Sequence, residues 1–379
     1  VEDKRHLQNQ VQRKGYGYSM GKKQGYIITT KCLRLRCRHP EWLSETQDFY
    51  NQIQKFYYDL FLEHSELRGE NSQVCLREIE RLSIHSAVTY YKGMYRDFES
   101  GEITLRIWNG SEWRWMRCRL YGKAFPEGAQ LMSPSVILDW KYEMLHVPVK
   151  EIVQDSSTAK ERIAEGRNVC GIHFTNGDAF AVASVMNCGG KELAVRYFKG
   201  GKEYTHRCGK VLEKIEKSRK SRGENAGGRV NQKYWMHLKY LGEQYAHQVS
   251  LNIVTFCKEQ DVSVIAFPKY DEEYRRHVLK GAGNFGTLHL STRIREYLTY
   301  KAWKEGILVL DVNAKEMHRI CAICGSEITQ QDKESKRFVC EKGHQGDGYL
   351  NVARNAAKRC LEQFQKKAGK EKNVSAKKS

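Results

Sequence analysis

No run of about 18 consecutive apolar residues occurs in this chain, so no transmembrane helix is expected. The first residues carry charges without an apolar h-region, which argues against a secretion signal. No internal repeat is present. Acidic residues are in deficit, with 45 Asp and Glu against 64 Lys and Arg, a formal net charge of +19. The tail 366–379 accounts for only about 5 of that charge, so the folded body is itself basic. An excess of this size favours a polyanionic partner, because Lys and Arg that bind phosphates release condensed counterions. Of the 12 cysteines, Cys32, Cys37, Cys75, Cys118, Cys170 and Cys257 are scattered singly and read as small buried hydrophobes in a reducing cytosol. At 379 residues the chain has room for two or three domains.

The pattern along the chain predicts an α+β multidomain protein. Residues 1–24 are polar, basic and Gly-rich, and read as a basic arm. Tyr26 to Cys37 alternates like a strand. After Pro40, Trp42, Phe49, Ile53, Phe56, Tyr57, Leu60 and Phe61 recur at helical spacing, and a second helical stretch is expected from about Ser72 to Tyr91. Ile103–Trp108 and Trp113–Leu120 flank Asn109-Gly110, which predicts a β-hairpin. Strands follow near Val136–Trp140 and Tyr142–Pro148. Residues 25–150 thus read as a small β-barrel with a helical insertion at about 40–100. Its alternating Trp, Tyr and Arg offer stacking surfaces for unpaired bases, or simply core. Beyond Asp155–Thr158, strands at Asn168–Phe174 and Ala179–Val185 precede a Lys/Arg/Gly-rich linker at Lys210–Gly228. A long helix (Tyr234 to about Gln260), a buried strand (Val262–Pro268), a helix (Thr292–Glu305) and a strand (Ile307–Val312) then describe an RNase H-type α/β domain. It is assigned 151–317 and 346–365. Residues 318–345 form an insertion, and 366–379 a disordered basic tail.

The insertion carries Cys321-x-x-Cys324, a gap of fifteen residues, then Cys340-x-x-x-His344. Four such ligands suffice for a closed, tetrahedral structural zinc site, with no position left for water. His318 is a weaker candidate for the fourth ligand; a metal-free knuckle held by packing is the alternative. Directly after it comes Asp347-Gly-Tyr349-Leu-Asn351-Val-Ala-Arg-Asn355. This segment resembles the third RuvC motif of the TnpB family and its relatives, the compact type V CRISPR effectors. Gly171-Ile-His173-Phe resembles their first motif, Asp261–Phe267 the second, and the cysteines their zinc ribbon. His146-Val-Pro-Val149 stands where their last wedge-barrel strand enters the nuclease domain, and the helical insertion corresponds to their recognition element.

In that family an Asp, a Glu and an Asp hold two Mg²⁺ ions, which are hard cations that need anionic oxygen ligands. The matching positions here are His173, Ala266 and Tyr349, so the resemblance implies a degenerate RuvC site, no catalytic Mg²⁺ and no nuclease activity. Asp178, Asp347, Glu272 and Glu273 are the neighbouring acids that a relocated metal site would need. By the same resemblance the protein is expected to pair a guide RNA with double-stranded target DNA beside a short flanking motif. It would bind without cutting and repress transcription by occluding a promoter, as the nuclease-dead TnpB-derived repressors called TldR do. A transcription or transposition factor is a further expected partner, and the implied setting is the prokaryotic cytoplasm, at the nucleoid. Two alternatives are an RNA-independent, zinc-containing DNA-binding or transposon accessory protein and a residual nuclease with relocated ligands. Candidate nucleic-acid contacts outside the apolar stripes are Lys4, Arg5, Arg13, Lys14, Lys22, Lys23, Lys217, Arg219, Lys220 and Arg222. Asn351 and Asn355 are expected to bond backbone near the former active centre.

Overall fold

The computed structural model describes residues 25–64, 87–99, 101–138, 142–222, 231–281, 285–332 and 336–375. The chain forms two compact units, Val1–Ile152 and Val153–Ser379. No helix among the described residues is long and apolar enough to cross a membrane.

In the first unit, strand β1 (Tyr26–Arg36) leads to helix α1 (Glu41–Glu63). Then follow β2 (Ala87–Thr89), β3 (Tyr95–Glu99), β4 (Glu102–Trp108), β5 (Trp113–Tyr121), β6 (Gln130–Leu131), β7 (Ser135–Leu138) and β8 (Glu143–Ile152). They make one antiparallel sheet in the order β2-β7-β8-β1-β5-β4-β3, with β6 paired to β8. Period-two alternation builds it: Leu33, Leu35, Ile103, Leu105, Ile107, Cys118, Leu145, Val147 and Val149 share one buried core. Each large side chain so buried is worth about 1.5–3 kcal/mol, and a one-residue slip would expose the whole row, so this row fixes the register. Among the described residues β2 and β3 do not pair with each other, which leaves the barrel open along that seam.

Three local expectations are modified here. Trp108 pairs with Trp113, so the hairpin loop is 109–112 rather than a two-residue turn. Asn109 Oδ1 accepts from the N–H groups of Ser111 (3.0 Å) and Glu112 (2.8 Å), while Gly110 takes φ +95°. Helix α1 buries only Leu43 and Thr46, with Phe49 stacked on Trp108 at 4.7 Å. Ile53, Phe56 and Tyr57, expected on the packed stripe, are exposed. The second helical stretch is also corrected at its end. Ala87–Thr89 is strand, because β-branched Val88 and Thr89 pair with Val136 and Ser135 in the sheet. Positions 65–86 and Trp140 lie outside the described residues.

The second unit opens with helix α2 (Ala159–Ala164), started by a Thr158–Glu161 capping box. Strands β9 (Asn168–Phe174), β10 (Ala179–Met186) and β11 (Glu192–Lys199) are followed by helices α3 (Gly201–Arg222) and α4 (Gln232–Glu259). Next come β12 (Val262–Lys269), α5 (Glu272–Gly281), a 3-10 turn at Thr287–Leu290, α6 (Ser291–Lys304) and β13 (Leu308–Asn313). A three-stranded ribbon, β14 (Ile328–Gln331), β15 (Arg337–Cys340) and β16 (Gln345–Asp347), precedes the last helix, α7 (Gly348–Ser375). The main sheet runs β11-β10-β9-β12-β13, with β12 parallel to β9 and β13, and β10 antiparallel to its neighbours. Strand β11 was not expected from the sequence. The linker expected at 210–228 is helix α3 up to Arg222: Tyr204, Cys208, Val211 and Ile215 recur at helical spacing and are buried, and the Lys and Arg between them are good helix formers.

The sheet has two distinct faces. Cys170, Ile172, Ile265 and Phe267 enter a core shared with Ile253 of α4 and with Ile294 and Leu298 of α6. Helix α7 covers the opposite face. Its backbone comes so close to β9 that a Cβ at Gly171 would fall on the Ala353 carbonyl oxygen and 2.6 Å from the Ala357 nitrogen. Arg162 locks one end of the sheet. Its guanidinium is fully buried and donates to the carbonyls of Ser157 (3.0 Å), Ser263 (2.9 Å), Asp155 (2.8 Å) and Gly306.

Candidate functional site

The α7-covered face gathers the three positions singled out by the motif resemblance. On β9, Gly171 and His173 share one face by period two. Ala266 of β12 lies beside Gly171 in the parallel register, and is fully buried. Tyr349 sits in the first turn of α7, and its ring lies 5.7 Å from the His173 ring, inclined by 33°. A third ring completes the group: Tyr270 is T-shaped to His173 at 6.2 Å, with its hydroxyl 3.5 Å from Nδ1. Burial, and secondarily the nearby His318, push the His173 imidazole down to about 4, so it is neutral near pH 7. His318, the weaker candidate for the fourth ligand, is not part of the converging cysteine cluster. Tyr270 was missed in the sequence, although it has the parity of Ala266 and Pro268 and so continues the same face of β12.

The neighbouring acids are placed elsewhere or committed to other bonds. Asp347 ends β16 and caps α7: its Oδ1 accepts the N–H groups of Tyr349 (2.7 Å) and Leu350 (3.0 Å). Asp178 is exposed in the β9–β10 turn, and Glu272 and Glu273 are exposed in the first turn of α5. Glu192 of β11 is held at both oxygens by Arg354 (2.7 and 2.6 Å) and accepts from Ser184 (2.7 Å). Among the described residues, no group of three or more carboxylates converges as metal ligands would.

The cysteine cluster does converge. The ligand atoms of Cys321, Cys324, Cys340 and His344 all lie within 4.8 Å of one another. A tetrahedral zinc with Zn–S about 2.3 Å and Zn–N about 2.0–2.1 Å requires sulfurs about 3.8 Å apart and a sulfur–nitrogen pair about 3.6 Å apart. Cys324 and Cys340 sulfurs are 3.7 Å apart, and Cys340 Sγ is 3.6 Å from His344 Nδ1. The cluster thus fits zinc. Both pairs sit on tight turns, where Gly325 (φ +76°) and Gly343 (φ +78°) supply the left-handed residue. Hydrogen bonds from the Ser326 hydroxyl and N–H hold the Cys324 thiol down to about 6, which favours the ligating thiolate. Asn351 and Asn355 tie this ribbon to α7. Both Nδ2 groups donate to the Ile320 carbonyl at 2.8 Å, and Asn351 Oδ1 accepts the Ala322 N–H at 2.7 Å. Protein purified without chelator should carry about one zinc per chain by mass spectrometry, and Cys321→Ser should reduce it to a small fraction.

Of the proposed nucleic-acid contacts, Lys217, Arg219 and Lys220 are exposed on α3, and Arg222 is the last residue of that helix. Lys220 is paired to Glu216 at 2.9 Å. Lys4, Arg5, Arg13, Lys14, Lys22 and Lys23 lie outside the described residues.

This architecture defines a class: a RuvC-like, RNase H-type domain with a ribbon inserted before its last helix, preceded by an antiparallel barrel. Residues 292–356 match the family model described as Cas12f1-like, TNB domain, and residues 27–87 match the Aq_aa04 family. The chain is similar to the protein in a cryo-EM structure of a Cas12f1–sgRNA–target DNA complex, at 10% identity and TM-score 0.62, over 88% of this chain and 99% of that one. It also aligns with CasPhi-2 (Cas12j) bound to crRNA, at 7% identity and TM-score 0.46, over 89% of this chain and 98% of that one. Alicyclobacillus acidoterrestris C2c1 in complex with single-guide RNA aligns at 10% identity and TM-score 0.45, over 95% of this chain and 67% of that one. No curated protein matches. In fold the chain is similar to the Cas12f1 of that complex, and its segment 292–356 matches the Cas12f1-like TNB domain model.

Proposed function

We propose that this protein is an RNA-guided DNA-binding protein that does not cut its target, and that it represses transcription by occluding a promoter. The observation that carries this reading is the face under α7. There a neutral imidazole, a methyl group and a phenol lie at the positions that the motif resemblance matches to three Mg²⁺-binding carboxylates, which supports the loss of the metal site. The Cas12f1-like fold, and a solved relative that is itself a complex with sgRNA and target DNA, support guide RNA and duplex DNA as partners. Base pairing would choose the sequence, and protein contacts would go mainly to backbones, as the net charge of +19 favours.

Purified from its native host, the protein should bring down a discrete RNA, and the complex should bind a matching duplex without cleaving it in Mg²⁺ or Mn²⁺. RNA-free protein that binds the duplex equally well would instead support an RNA-independent DNA-binding factor. Cleavage of a supercoiled target that is lost in Asp347→Ala would support a relocated nuclease. Replacing Lys217, Arg219, Lys220 and Arg222 together by alanine should weaken binding across all sequences. It should also reduce the slope of log affinity against log salt by about 3–4.

A further inference from the structure

One thiol pair in the first unit lies outside the zinc-ligand cluster. Leu35 of β1 is paired with Leu120 of β5, and Arg36 with Arg119. One step further, Cys37 comes opposite Cys118, on the inward face that also carries Leu33, Leu35 and Leu120. Directly opposed residues in antiparallel strands have Cα atoms about 4.5 or 5.5 Å apart, depending on the type of pair, and both spacings lie within the range a disulfide spans. The two thiols are free and within hydrogen-bonding reach. Cys118 is fully buried, its Sγ also 3.6 Å from the Met116 carbonyl, whereas Cys37 is half-buried at the strand end. Beside both lies Tyr90, itself fully buried, whose hydroxyl has no hydrogen-bond partner among the described residues. Such a donor is costly to leave unmade and would be satisfied by an anionic sulfur or a sulfenate oxygen.

We propose that Cys37 and Cys118 are a peroxide-reactive dithiol that closes to a disulfide across β1 and β5. The hydrogen bond from Cys118 holds the Cys37 thiol below its ordinary value against the effect of burial, while Cys118 itself is pushed up. Cys37 is therefore the attacking thiolate. Its sulfur takes one oxygen from a hydroperoxide as the O–O bond breaks, giving sulfenic acid and, for hydrogen peroxide, water. Cys118 sulfur then attacks the sulfenic sulfur. The S–S bond forms, the S–O bond breaks, and a second water leaves. Two sulfurs are oxidised by two electrons in total, and one peroxide is reduced. Tyr90 is a positioning residue whose hydroxyl holds the Cys37 oxygen during the exchange. The bond would tie down the chain just before Pro40, where it turns into α1.

The test treats full-length protein with a modest excess of hydrogen peroxide and maps peptides without reduction. A Cys37–Cys118 link should form, with a loss of about 2 Da, revert with dithiothreitol, and be absent in Cys37→Ser and Cys118→Ala. Cys32 is on the opposite face of β1 and exposed, so it serves as the internal control and should not enter the link. Tyr90→Phe should slow closure several-fold. Oxidation of Cys37 only to sulfinic acid, or no link while Cys32 is oxidised, would overturn the dithiol assignment; an unchanged rate in Tyr90→Phe would overturn the role given to the hydroxyl.

Discussion

Gly171→Ala should destabilise the second unit by about 3 kcal/mol or more, seen as a lower urea midpoint with the slope unchanged. The reason is spatial. The new methyl would fall on the Ala353 carbonyl oxygen and lie 2.6 Å from the Ala357 nitrogen, and both are backbone atoms of a packed helix that cannot swing aside as a side chain could. Helix α7 would have to lift from β9, exposing Ala353, Ala356 and Ala357, which are fully buried now. Close approach, not a left-handed backbone, is what demands glycine here. A variant that keeps wild-type stability would show that α7 does not seat on β9 at this depth.

Arg162→Met should cost about 3–5 kcal/mol, because it leaves the Ser263 and Gly306 carbonyls buried without a donor. Methionine fills most of the volume, so the loss reports hydrogen bonds and charge rather than a cavity. A pH scan adds a second signature. Burial alone would raise the Asp155 carboxyl, but hydrogen bonds from Ser157 and Arg167 and the charge of Arg162 outweigh it and hold it at about 2. The folded value lies below the unfolded one of about 3.9, so its stabilisation is complete above about pH 5 and is lost as pH falls toward 2. Melting temperatures between pH 5 and 2 should therefore fall, and should fall less steeply in Arg162→Met. An identical slope in the variant would count against Arg162 as a contributor to the Asp155 shift.

The buried strands and long helices were legible because their patterns extend over enough residues to show a period. Val262–Pro268 and Tyr234–Gln260 reveal their elements without knowledge of their neighbours. Helix α3 was hidden because its Lys and Arg make it look like a linker, while only Tyr204, Cys208, Val211 and Ile215 betray a packed stripe. Strand β11 was hidden for the opposite reason. At the sheet edge Leu193, Val195 and Tyr197 are exposed, so burial gives it no one-sided pattern. At the site, His173, Ala266 and Tyr349 could be named from motif order. What the motifs could not supply was Tyr270, or the use of Asp347 as a helix cap, since both depend on where strand β12 ends and α7 begins.

The seat of Ala353 and Ala357 against Gly171 has a consequence in time. These residues are about 180 positions apart, and a ribosome working at about 5–20 residues per second needs some 10–35 s to deliver the second after the first. Throughout that interval the face of β9 around Gly171 lacks the helix that covers it in the finished fold. The nascent protein therefore passes through a state with an open apolar surface, in which a chaperone or another strand can compete for the place that α7 will take.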